Sequence, residues 1–187
     1  MHRRTATRVK DGRVQKKNNW APTPAPDEIV LERRAPAWGG RHLITIAQLR
    51  KFIALLPMWD EVAVGLKAIV LDGADDCMGW CADGVVAVCD WDADLWWEDA
   101  LEPWMDEHRE LLDRLEVEVV GTEVRWTEAQ ARAFQLLHIL PHELGHHHDR
   151  MTTRTKRYMA RGEPYAEAYA LEVLEDVWPA YLARFGI

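Results

Sequence analysis

The sequence predicts an α+β fold, one domain with strands mostly early in the chain and two long helices late. Three observations lead there. The runs LKAIVLDG (66–73) and GVVAVCDW (84–91) are rich in β-branched residues and end or begin at an Asp-Gly turn signal. Apolar residues recur at helical spacing from Thr127 to about Arg150, and again from Gly162 to Phe185. A chain of 187 residues, 48% hydrophobic and 29% charged, is long enough to bury one packed core.

Taken in order, residues 1–40 read as a basic, proline-containing arm. The first twenty hold seven Lys or Arg against one Asp, and APTPAP (21–26) follows, with no sustained periodicity. Since the whole chain carries −8, the remainder carries −14. The arm reads first as a solubilising tail and second as a tether, through residues 1–20, to nucleic acid or an acidic partner. On this reading, deleting residues 1–36 leaves the core folded.

The folded domain is expected over 41–187. ITIAQLRKFIALLP (44–57) predicts a helix capped by Thr45 and stopped by Pro57, and 66–73 predicts a strand. CMGWCADGVVAVCDW predicts a hairpin turning at Asp83-Gly84, with Cys81 opposite Val86 and Cys89 opposite Met78. Cys81 and Cys89 then lie on opposite faces, and the three cysteines read as buried free thiols. Residues 93–116 predict two helices joined at Pro103, and 117–126 a short extended segment. Thr127 with Gln130 forms a capping box for the first long helix. The sheet these strands predict is small and mostly antiparallel. No apolar run approaches the roughly 18 residues of a membrane span. The basic N-terminus lacks the apolar core of a signal peptide, so a cytoplasmic protein without a membrane partner is expected.

The chemistry concentrates in PHELGHHHD (141–149). His142 and His146 lie four residues apart on one helical face, where two imidazoles can grip one Zn²⁺. Glu143 stands beside them as a base for water. His138 and Asp149 share that face but lie ~7–9 Å along the axis from the metal's level, too far to ligate unless the helix breaks. The next glycine after the motif is Gly162, which excludes a turn-back to a third histidine; His147 and His148 point away from the pair and are expected to be exposed or to stand behind the ligands. Gly145 suits a close approach by another backbone. A third ligand must come from elsewhere. In EPYAEAYALEVL, Glu163, Ala166, Glu167, Ala170 and Leu174 fall on one helical face, so one carboxylate can reach the ion and the other can orient an imidazole.

H-E-x-x-H followed by this glutamate-bearing helix resembles the gluzincin metallopeptidases. More narrowly, HELGHHHD with EPYAEAYA is similar to the anthrax lethal factor-like catalytic domain, with a looser likeness to ImmA/IrrE-type peptidases. The resemblance covers about residues 120–185. It implies a zincin-like metallopeptidase domain over 41–187 with an active-site helix and a C-terminal ligand helix. It implies His142, His146 and Glu163 as zinc ligands, Glu143 as general base, and Glu167 and Asp149 behind the ligating side chains. Tyr158 is the candidate for stabilising the oxyanion. Pro164 fixes the start of the last helix, so Glu163 at its mouth can swing to the metal while Glu167 meets the imidazole behind it. The expected activity is hydrolysis of a polypeptide bound as an extended strand, with GVVAVCDW as the pairing edge. Residues 90–107, with eight acids and four tryptophans, would favour basic or aromatic substrate side chains if they line the cleft. Two other readings compete. One is a regulatory protein that keeps the scaffold without cleaving; the other is an effector or toxin protease with a single target.

Overall fold

A computed structural model describes residues 8–10, 13–15, 29–73, 77–92, 95, 97–99, 102–152 and 161–187. The chain is mixed α+β, as the sequence predicts. Two three-residue strands, β1 (Arg8–Lys10) and β2 (Arg13–Gln15), pair antiparallel within the segment expected to lack structure. Strand β3 (Val30–Arg33) is followed by helices α1 (Ile46–Ile53) and α2 (Trp59–Val62). Thr45 caps α1 in a full capping box with Gln48. Strands β4 (Ala68–Asp72), β5 (Gly79–Ala82) and β6 (Val85–Cys89) complete a four-stranded sheet in the order β3-β4-β6-β5.

That sheet is not mostly antiparallel. β3, β4 and β6 run parallel, and only the edge strand β5 opposes them. The reason is connectivity: a crossover through α1 and α2 returns the chain to run parallel to β3, while the Asp83-Gly84 turn reverses it between β5 and β6. Asp83 and Gly84 both have positive φ, 52° and 83°, as a type I′ hairpin turn requires. The register is the expected one, with Cys81 opposite Val86 and the Cys89 amide donating to the Met78 carbonyl. All three cysteines are free, but only Cys89 is buried; Cys81 is half-buried and Cys77 is exposed. β6 is central, so GVVAVCDW is no edge; the outer edge beside it belongs to β5.

The boundary expected at residue 40 also moves. Val30–Arg33 pairs along its length with Ala68–Leu71, and Ile29 is buried in the main core. Deleting residues 1–36 therefore strips an edge strand and should lower the melting temperature of the remainder, which thermal unfolding of the truncated chain would show. An unchanged melting temperature would mean that β3 adds nothing to the core.

Beyond β6, the expected helix over 93–102 gives way to β7 (Trp97–Asp99), which pairs with β9 (Glu123–Arg125); β8 (Glu118–Val120) completes this three-stranded antiparallel sheet. A cross-strand partner decides the conformation of a short aromatic segment that periodicity alone leaves open. Pro103 sits in the first turn of a single helix, α3 (Glu102–Arg114). Thr127 caps α4 (Glu128–Phe134), which runs through a π-helical stretch (Gln135–Ile139) into α5 (Leu140–Thr152). The C-terminal helix α6 (Glu163–Phe185) continues through Pro179. Among the described residues no helix is long and apolar enough to cross a membrane. Leu136, Leu137, Leu140 and Leu144 meet Val173, Leu174, Val177 and Tyr181 in the core, against one face of the sheet. This packing lays α6 along α5 and brings PHELGHHHD opposite EPYAEAYA.

Candidate metal centre

α5 presents His142 and His146 one turn apart, their ring centroids separated by 4.8 Å. Their Nε2 atoms are 3.2 Å apart. Glu163 Oε2, from the first turn of α6, lies 3.1 Å from the first and 3.4 Å from the second. Three ligand atoms on a tetrahedral ion at ~2.0–2.1 Å would stand about 3.3 Å apart, so this triangle has the size that Zn²⁺ requires. The site is open: the Glu163 side chain is 78% exposed, and both imidazoles are partly accessible.

Glu167 lies one turn further along α6 and takes the other nitrogen of His142, with Nδ1 and Oε2 3.2 Å apart. A carboxylate can only accept here, so Nδ1 carries the proton and the neutral ring offers its Nε2 lone pair to the triangle. That hydrogen bond raises the His142 pKa, against the opposing effect of burial. A more basic imidazole is a stronger ligand. Glu143 is buried beside the triangle, and its carboxyl is pushed up to about 7, mainly by desolvation, with the Glu163 charge adding and His142 opposing.

Small residues set the distances. A Cβ built on Gly145 would stand 2.8 Å from Ala166 Cα and 3.1 Å from the Ala166 carbonyl oxygen. The close backbone approach expected at this glycine is therefore present, and it is what brings Glu163 and Glu167 within reach. On the other side of α5, a Cβ on Gly79 would meet Glu143 Cγ at 2.9 Å, so edge strand β5 lies directly against the base. Asp149 lies near the C-terminal end of α5. Its buried carboxylate accepts from the Gly162 amide (3.0 Å) and from Arg161 Nε (2.8 Å). It thus anchors the chain that delivers Glu163. Tyr158 lies outside the described residues.

His147 and His148 are more buried than exposed residues would be, while His138 stays out of the triangle as expected. His147 is fully buried, with Nε2 2.9 Å from the Val64 carbonyl oxygen, and burial pulls its pKa down to about 4. His148 is partly buried and reaches the Tyr165 hydroxyl at 2.7 Å. His138 does not join the triangle, but its Nε2 lies 3.7 Å from Glu167 Oε2 and 3.0 Å from His108 Nε2. With His142 and Glu167 it forms a second group of metal-capable atoms behind the first. Sequence spacing marks His138 as a neighbour of His142 at i−4; nothing local marks His108, thirty residues away on α3. The wider π-helical turn gives His138 this position, and Gln135 within it donates to the Cys89 carbonyl oxygen at 2.8 Å, fastening the turn to β6.

Comparison of the chain with protein-family models, with curated proteins and with solved structures finds no match.

Proposed function

We propose that the protein is a zinc-dependent endopeptidase of the zincin type, in which His142, His146 and Glu163 hold the metal. One observation carries the reading: three ligand atoms converge at 3.1–3.4 Å with a buried carboxylate next to them. Zinc held there supplies Lewis acidity, acidifying water and polarising a peptide carbonyl. The chain's own residues supply the rest. Glu143 takes the proton of the attacking water and delivers it to the leaving amine, work suited to a carboxyl whose pKa is near neutrality. Glu167 holds the His142 ring so that Nε2 faces the metal.

The substrate edge is β5 rather than GVVAVCDW. β5 has β6 on one side and, among the described residues, no strand on the other. A peptide added along that edge passes Glu143, because Gly79 sits against its side chain.

The test compares wild type with Glu143→Gln, each loaded with one equivalent of Zn²⁺, on a peptide library read by mass spectrometry. The wild type should cleave, and the variant should keep zinc while losing roughly 10²–10⁴-fold in rate. Equal cleavage by both would exclude Glu143 as the base. Zinc binding without cleavage by the wild type would favour the regulatory or single-target reading.

A further inference from the structure

Two of the cysteines meet at the foot of the β5–β6 hairpin. Cys77, just ahead of β5, places its Sγ 3.8 Å from the Sγ of Cys89 at the end of β6. The sulfurs are in contact, and a disulfide would bring them to ~2.03–2.05 Å. The two sides of this contact differ. Cys89 is 1% exposed and held by its backbone: its amide donates to the Met78 carbonyl at 2.9 Å, and its carbonyl accepts from Gln135 at 2.8 Å. Burial chiefly pushes the Cys89 thiol up, with Cys77, Asp72 and Asp90 adding, and so keeps it protonated. Cys77 is exposed and precedes the strand, so it both meets solutes first and can move the remaining distance. Cys81 does not compete. It stands opposite Val86, and strand alternation puts it on the other face of the ribbon from Cys89.

We infer that Cys77 and Cys89 are an oxidative modification site, which a peroxide converts to a disulfide that fastens the leading end of β5 to β6. The site needs no bound metal; its bearing on substrate rests on β5 being the edge that takes the peptide. Cys77, having lost its proton, attacks one peroxide oxygen. An S–O bond forms, the O–O bond breaks, and the departing hydroxide becomes water on taking up a proton. The Cys89 sulfur then attacks Cys77 Sγ: the S–S bond forms, the S–O bond breaks, and the hydroxide leaves with the Cys89 proton as water. Two thiols and one peroxide give one disulfide and two waters, the sulfurs losing the two electrons that the peroxide gains.

The experiment treats the reduced full chain with hydrogen peroxide, blocks the remaining thiols with N-ethylmaleimide in denaturant, and maps the peptides by mass spectrometry. Wild type should give a Cys77–Cys89 cross-link within one chain, lighter by two hydrogens, with Cys81 alkylated; dithiothreitol should restore both thiols. Cys89→Ala removes the second sulfur, so Cys77 should stop at the sulfenic acid and be trapped by dimedone. Hydrogen exchange of the β5 amides bonded to β6 should slow in the cross-linked chain. Wild-type Cys77 that ends as a sulfenic or sulfinic acid, or is linked to Cys81 or to a second chain, would overturn the inference. Exchange in β5 left unchanged by the cross-link would overturn the claim that the bond fastens the strand. Should Cys89→Ala fail to fold, the wild-type cross-link and its absence from Cys77→Ser, a change at an exposed position, still decide the question.

Discussion

Replacing Gly145 with alanine should destabilise the protein and weaken its metal site together. In an ordinary exposed helix the exchange would stabilise by up to about 1 kcal/mol, because glycine is a poor helix former. Here the added methyl meets backbone atoms of Ala166, at 2.8 Å from Cα and 3.1 Å from O, and Tyr169 Cβ at 3.1 Å. Backbone cannot rotate aside as a flexible side chain can, so α5 and α6 must separate. Overpacking of this kind costs up to about 3 kcal/mol, which exceeds the propensity gain and leaves a net loss of about 2 kcal/mol. For a chain of this length that corresponds to a fall of roughly 4–8 °C in melting temperature. Separation of the helices also draws Glu163 and Glu167 away from His142, so zinc affinity should fall with it. A stabilised Gly145→Ala variant with unaltered zinc binding would show that the helix contact does not set the site's geometry.

The second large effect separates the two glutamates of α6. Glu163→Ala should empty the site, because it removes one corner of the triangle, Oε2 at 3.1 and 3.4 Å from the two imidazole nitrogens. Glu167→Gln should retain the metal with affinity lowered ~10–100-fold, because it changes only the acceptor behind His142 Nδ1. Isothermal titration with Zn²⁺ reads both. The reverse order would move the ligand to Glu167 and place the ion in the deeper group with His138.

Much of this was legible in the sequence, for reasons that differ residue by residue. The N-cap at Thr45, the capping box at Thr127 and the Asp83-Gly84 turn are local chemistry, and the structure has all three where the residues predict them. The face Glu163–Ala166–Glu167–Ala170 and the contact at Gly145 follow from helical spacing plus the small size of the residues. What sequence could not show depends on partners far along the chain. The parallel pairing of β3 with β4 needs a crossover to bring Val30 beside Ala68. The strand at Trp97–Asp99 exists because β9 pairs with it. The hydrogen bonds of the Asp149 carboxylate with the Gly162 amide and Arg161 join α5 to the start of α6, which no local pattern displays. His108 meets His138 only because α3 packs on the π-helical turn, a departure from regular spacing that no 3.6-residue pattern displays.

The claim at the centre is that one ion sits among His142, His146 and Glu163. X-ray absorption at the zinc edge, on wild-type protein carrying one equivalent of Zn²⁺, tests it most directly. The outer-shell scattering should count two imidazoles, with nitrogen and oxygen neighbours at ~2.0–2.2 Å and no sulfur. A fit that requires three imidazoles, or a sulfur at ~2.3 Å, would contradict the assignment and send the metal to His138 or to the cysteines of the β5–β6 hairpin.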